Sequence, residues 1–359
     1  MDKQGKPLHT SSPRVVTLVG VLVALGLLVL VGRLQAPHPK PVASTLTITT
    51  PTAATANPTI PGRRSLRFAE PIGGLAVTPG AVWVAHGQTI SRLDPHTLRP
   101  TATVTGYRPG GDQQLVGMTA GAGAVWVTVL GLGVLRVDPA SARVVARILV
   151  TTEEPPAVGA GAVWVVCCGG DTERRAGRLV RIDPATNRVA ATISLHGLPD
   201  AVGAGPSGIW VRGALGPVWR IDPASNRLTA TITVPGGLGA SAGRVLVGRD
   251  GVWVSDPKSS TVYQLDPQHN RLGDERFEAT GAHLLAAADL VEAADGTAWV
   301  VADGLRLIGI HGHAPVRTLF ADDPTANEVT ALAAGAGGTV LWAGTDMGTV
   351  LHLDPRAAS

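Results

Sequence analysis

Residues 162–194 read A-V-W-V-V-C-C-G-G-D-T-E-R-R-A-G-R-L-V-R-I-D-P-A-T-N-R-V-A-A-T-I-S, and this stretch is one copy of a unit that recurs along the chain. A-V-W-V returns, with small changes, around Trp83, Trp126, Trp210, Trp253, Trp299 and Trp342. With Trp164 that makes seven copies, spaced by 43, 38, 46, 43, 46 and 43 residues. An Asp-Pro follows in six of them, at Asp94, Asp138, Asp183, Asp222, Asp266 and Asp354. A period of this length, built from short runs of alternating apolar residues, is the mark of a propeller blade. The expected fold is therefore all-β: a seven-bladed β-propeller.

Each unit reads as four strands. In the first, the innermost runs Gly74–Thr78, the second Ala81–Ala85, the third Thr89–Leu93 and the outer one Pro100–Val104. The indole is expected to fill the wedge between neighbouring sheets, because each blade must bury its faces against the next. Asp followed by Pro suits a turn in which φ is preset and the carboxylate binds the following backbone. It should link the third and fourth strands. The arginine two residues before the Asp-Pro (Arg92, Arg136, Arg181, Arg220) reads as a surface or turn-bracing residue. The sixth unit is degenerate: Ile308–Pro315, with His311 and His313, stands where the Asp-Pro turn belongs. The last unit stops after its third strand, Thr349–Leu353, while Ser65–Ala69 precedes the first unit without a partner. That N-terminal strand is expected to complete the final blade from outside, closing the ring and removing two sheet edges.

The chain ahead of the repeats differs in kind. Residues 1–14 form a short basic tail, and Val15–Val31 is a run without charge. The tail is expected in the cytoplasm and 15–32 as a transmembrane signal anchor, with a cleaved signal peptide as the alternative. Residues 33–64, rich in Pro, Thr and Ala, read as an extended linker. The propeller would span 65–359, outside the cytoplasm at the cell membrane.

Residues 1–64 carry seven Lys/Arg against one Asp, so the remainder holds 23 basic and 26 acidic residues, with Lys258 its only lysine. Such a surface lacks the basic face that phosphate neutralisation needs, which argues against nucleic acid as a partner. Cys167 and Cys168 are the whole thiol inventory. They make neither a disulfide framework nor a zinc site. One buried and one exposed sulfur, or a vicinal disulfide, are the two readings.

G-A-V-W-V followed by S-R-L-D-P or V-R-I-D-P-A-T-N-R-V-A-A-T-I resembles the bacterial YVTN-type and virginiamycin B lyase-like propellers. The resemblance covers about Ser65 to Pro355 and implies seven blades. The lyase it resembles uses Mg²⁺ with histidine and acidic residues on one face. Here His86, His196 and His283 fall in different blades without a shared acidic motif. Likeness of fold does not carry activity.

Loops between blades and after the second strands share one face and vary most, and variable loops on a rigid scaffold are where binding resides. That face carries Asp112, Glu153, Glu154, His196, Asp200, Lys258, Asp322, Asp323 and Glu328. The ligand-binding candidates on it are His86, Arg108, Arg212, Asp256, His283 and Asp346. No G-x-S-x-G elbow, P-loop or H-E-x-x-H is present, so no catalytic residue is assigned. The expected function is a membrane-anchored binding scaffold for an extracytoplasmic protein, glycan or small ligand. The alternative is a lyase or hydrolase with a divalent ion, Mg²⁺ or Ca²⁺, at the propeller axis; otherwise no cofactor is expected.

Overall fold

The structure, a computed structural model, describes residues 64–105, 107, 114–167, 177–234, 237–239, 243–278, 284, 289–311, 317–321 and 323–357. The cytoplasmic tail, the anchor over 15–32 and the linker up to residue 63 lie outside them. Among the described residues no helix is long and apolar enough to cross a membrane.

These residues form seven four-stranded antiparallel sheets, six made in chain order from the innermost strand outward and the seventh taking its outer strand from the N-terminal end. The first blade holds Ile72–Thr78, Ala81–His86, Thr89–Leu93 and Pro100–Thr103, within two residues of the expected bounds. The second strand of every blade is buried along its middle because both its faces are covered. Ala124–Val129 and Ala162–Cys167 are buried throughout.

Alternation along that strand makes the ring. Trp126 sits in one cluster with Val163 and Val165 of the next blade, and Trp164 in another with Ile209 and Val211. Trp83, Trp210, Trp253 and Trp299 repeat the pattern with Val125, Val252, Ala298 and Leu341. Trp342 of the last blade packs with Val82 and Val84 of the first, so the ring closes through the same contact. Each indole is at most 3% exposed. Burying 150–250 Å² per indole is worth roughly 4–6 kcal/mol, the reason one Trp per blade suffices as a wedge.

The ring is also closed by chain pairing. Arg64–Arg67 lies against the strand Thr349–Leu353, with Leu66 opposite Val350. The closing strand thus begins one residue before the expected Ser65, and it ends earlier than Ala69. Phe68 adds one further bond, its N–H to Gly348 O at 2.8 Å.

The Asp-Pro turns behave as their chemistry requires. Asp183 Oδ1 accepts the Ala185 N–H at 2.9 Å, and Thr186 Oγ1 donates to Asp183 Oδ2 at 2.9 Å. Asn187 N–H closes the turn on Asp183 O at 2.8 Å with φ of 58°, a left-handed conformation that Asn accepts better than most residues. Cys167 is buried at the end of its strand, while Cys168 lies outside the described residues.

Candidate functional site

The innermost strands of all seven blades surround an axial channel with a cavity of about 330 Å³. Its wall is mostly Gly, Ala and Val, because small residues let seven backbones converge. At the end where the interblade connections enter, the wall changes character over four successive blades. Glu154, Asp200, Arg244 and Asp289 each stand two or three residues ahead of the residue paired with their blade's indole. Glu154, Arg244 and Asp289 line the cavity, while Asp200 immediately precedes the lining residue Ala201 in the chain. The three other blades place Gly73, Val116 and Thr330 at this level.

Backbone irregularity aims one of these side chains. The pairing of first and second strands slips by one residue at Gly73, Val116, Asp200 and Thr330. A bulge at that point bends the strand and redirects the extra side chain. In blade 4 the extra residue is Asp200, turned toward Arg212.

Two guanidinium centres organise the mouth. Arg244 Nη1 lies 3.2 Å from Glu154 Oε2, and its Nε lies 3.5 Å from Asp289 Oδ1. Asp289 Oδ2 also accepts the Leu332 N–H at 3.1 Å, from the neighbouring blade. Deeper in the wall, the Arg212 side chain is wholly buried, pairs with Asp200, and reaches Asp256 Oδ1 at 3.4 Å. Its Nη2 donates to Gly239 O at 2.9 Å. Asp256 Oδ1 accepts the Gly239 N–H at 2.9 Å, and its Oδ2 accepts from Ser259 Oγ at 2.6 Å.

Burial disfavours the ionised form of these carboxyls. It pushes Glu154 up to about 7 against the opposing pull of Arg244, with Glu153 adding to the rise. Asp200 is likewise pushed up to about 7 by burial, opposed by Arg212 and raised further by Glu154. Burial raises Asp289 too, against Arg244. Two carboxyls that titrate near neutrality in a cleft are suited to proton exchange or to recognising charge.

The expected site residues separate under this geometry. Arg212 and Asp256 are brought together, 44 positions apart in the chain. His86 is engaged elsewhere: its ring stacks on Phe68 at 4.1 Å, with Nε2 2.8 Å from Ser91 Oγ and Nδ1 3.3 Å from Glu70 Oε2. Asp346 braces a loop by accepting the Asn327 N–H at 3.0 Å and Asn327 Nδ2 at 2.9 Å. Asp323 does the same for Thr325, and Glu153, His196 and Glu328 are exposed. Arg108, His283, Asp112 and Asp322 lie outside the described residues. Arg244 and Asp289 escaped the sequence reading. The signal for them was a charge interrupting the Gly/Ala/Val run that opens an innermost strand.

Among the described residues, no group of three or more His, Cys, Asp or Glu side chains is placed to hold a metal ion. The carboxylates at the mouth are instead shared with guanidiniums, whose fixed charge repels a divalent cation. The donor set therefore does not fit the Mg²⁺ or Ca²⁺ ion that the enzyme alternative would need.

No protein-family model matches the chain, and no curated protein matches it either.

Proposed function

We propose that this seven-bladed propeller is a binding scaffold that takes a small polar ligand at the mouth of its axial channel. The observation that carries the reading is Arg244 held between Glu154 and Asp289 on the wall of a cavity of about 330 Å³. That volume lies at the lower end of ligand pockets, and convergent polar groups on an apolar wall are their usual composition. The uncharged run Val15–Val31 and the Pro/Thr-rich segment after it support an anchored protein with its propeller outside the cytoplasm.

The test is a thermal-shift panel of amines, dicarboxylates, amino acids and neutral sugars on the full chain and on Arg244→Met. A ligand that raises Tm in the parent protein and not in the variant upholds the reading. No such ligand in any class overturns it. Membrane fractionation of chains with and without residues 1–33 checks the anchor; equal partition of both would sink it.

A second reading, a lyase or hydrolase like the virginiamycin B lyase-like propellers, is favoured by Glu154 and Asp200 titrating near 7, where general bases work best. It predicts stabilisation by micromolar Mg²⁺, which the Arg-shared carboxylates argue against.

A further inference from the structure

We propose that the Asp-Pro turn face of blades 1–4 docks onto an anionic phospholipid surface, an inference that rests on the anchor reading above. The 23 basic and 26 acidic residues beyond residue 64 are sorted by face. In each of the first four units the turn face carries two arginines to one aspartate. One is the arginine two places before the Asp-Pro. The other stands where the outer strand begins: Arg99, Arg143, Arg188 and Arg227. These four are exposed, and none pairs with a carboxylate among the described residues. The surplus ends with blade 4. In blade 5 Gln264 stands where the first arginine belongs, and Arg271 lies 3.7 Å from Asp266. In blade 6 Arg317 pairs with Asp295 at 2.8 Å, and in blade 7 Arg356 pairs with Asp354 at 2.9 Å. The described residues include every Asp, Glu, Lys and Arg in the turns that join first to second and third to fourth strands.

Apolar exposure falls in the same place. Val145, Val189 and Leu228 are 55%, 45% and 41% exposed on the outer strands of blades 2, 3 and 4. Each follows the unpaired arginine of its blade by one or two residues. Guanidinium groups take phosphate oxygens in a bidentate fork. Aliphatic side chains beside them enter the boundary between headgroup and acyl chain. Binding at a lipid surface grows with both the buried apolar area and the attraction to anionic headgroups.

The route of the chain selects lipid among anionic partners. The closing strand runs from Arg64, opposite His352, to Arg67, opposite Thr349. His352 is at the turn-face end of its strand, two places ahead of Asp354. The chain therefore enters the propeller on the turn face, where Arg64 Nη1 donates to His96 O in the turn of blade 1. The uncharged run Val15–Val31 lies upstream. A tether holds the propeller at high effective concentration beside whatever surface takes that run, so contacts that are weak one by one suffice.

Hydrogen exchange of the full chain tests this on vesicles of phosphatidylcholine alone and of an equal mixture with phosphatidylglycerol. Amides of Arg143–Ile148, Arg188–Ser194 and Arg227–Ile232 should exchange at least about threefold more slowly on the mixture. Those of Arg317–Phe320, the outer strand of blade 6, should not change. Arg143→Gln with Arg188→Gln and Arg227→Gln should remove the slowing, and Val189→Ser with Leu228→Ser should at least halve it. Lys258→Gln, in a loop on the opposite face, should leave it intact. If one set fails to fold, the other decides. Equal exchange on the two vesicles, or slowing that survives both sets, would overturn the proposal. Slowing without lipid that grows with protein concentration assigns the face to a second copy, and overturns it too. Sedimentation of the same samples separates the two readings. A chain that pellets with both vesicles and shows no slowing keeps the anchor and loses the face. One that pellets only with the mixture, with slowing, keeps the face and loses the anchor.

Discussion

The guanidinium of Arg181 lies 5.5 Å from the centre of the Trp164 indole in its own blade. From there its Nη1 crosses to the next blade and donates to Pro223 O at 2.9 Å and Asn226 Oδ1 at 3.0 Å. Arg136 over Trp126 reaches Pro184 O and Asn187 in the same way, and Arg220 over Trp210 reaches Pro267 O and Asn270. The arginine ahead of the Asp-Pro thus braces a turn, but the turn belongs to the following blade. The repeat motif carries both halves of a latch, and one copy supplies the arginine while the next supplies the turn.

Replacing Arg181 with Met keeps the stem over the indole and removes the crossing donors. The loss should be about 1–3 kcal/mol, a fall in Tm of roughly 2–5 °C. Scanning calorimetry reads it. Arg181→Lys should recover only part of the fall, because one ammonium cannot reproduce the guanidinium fork. An unchanged Tm in the Met variant would show that the latch holds nothing.

The seven indoles are not equivalent in their polar ends. Trp164 Nε1 donates to Gly159 O at 3.1 Å, and Trp126 Nε1 to Gly121 O at 3.1 Å. Trp299 Nε1, in the degenerate sixth blade, is buried with no partner among the described residues. Trp164→Phe loses packing and a hydrogen bond, whereas Trp299→Phe loses packing alone. Thermal melts should show the first variant less stable than the second by about 1 kcal/mol.

Leu66 stands in the closing strand, 6% exposed, in one cluster with Val82, Val84 and Val350. A charge there faces the seam where the two ends of the ring meet. Leu66→Asp, or deletion of residues 65–70, should abolish cooperative unfolding and leave Thr349–Leu353 as an open edge prone to aggregation. A deletion variant that melts like the parent would refute closure by this strand.

The raised carboxyls at the channel mouth set a pH dependence. Glu154 moves from 4.5 to about 7 in the folded protein. A carboxyl whose folded pKa is raised binds more protons folded than unfolded between the two values. Stability therefore falls as pH rises through that window. Glu154→Gln should remove this slope between about pH 4.5 and 7. His86, lowered by burial, tilts stability the other way, rising with pH up to 6.5. The difference between parent and variant melts, taken pH by pH, reports Glu154 together with the part of the Asp200 rise that Glu154 causes. A variant that keeps the whole slope would show that Glu154 titrates normally.

The blade count, the strand order and the closing strand were legible from residue chemistry alone. They rest on short-range rules that repeat: alternation along a strand, Asp-Pro in a turn, one indole per sheet, and a spare strand before the first unit matching one missing from the last. The site was legible only in part. Of the residues read as candidates, Arg212 and Asp256 proved to be partners. His86 and Asp346 were candidates as well, but their polar atoms are spent on Phe68, Ser91, Glu70 and Asn327 close by.

What the chain determined by itself is the blade, because its period is written in every copy and each copy obeys the same local physics. What only the tertiary structure decided is the charged mouth. Glu154, Arg244 and Asp289 are singular residues in three different copies, and they interact only because closing the ring carries three strand entries to one axis. Burial there, not sequence neighbourhood, is what raises the pKa of the Glu154 and Asp289 carboxyls.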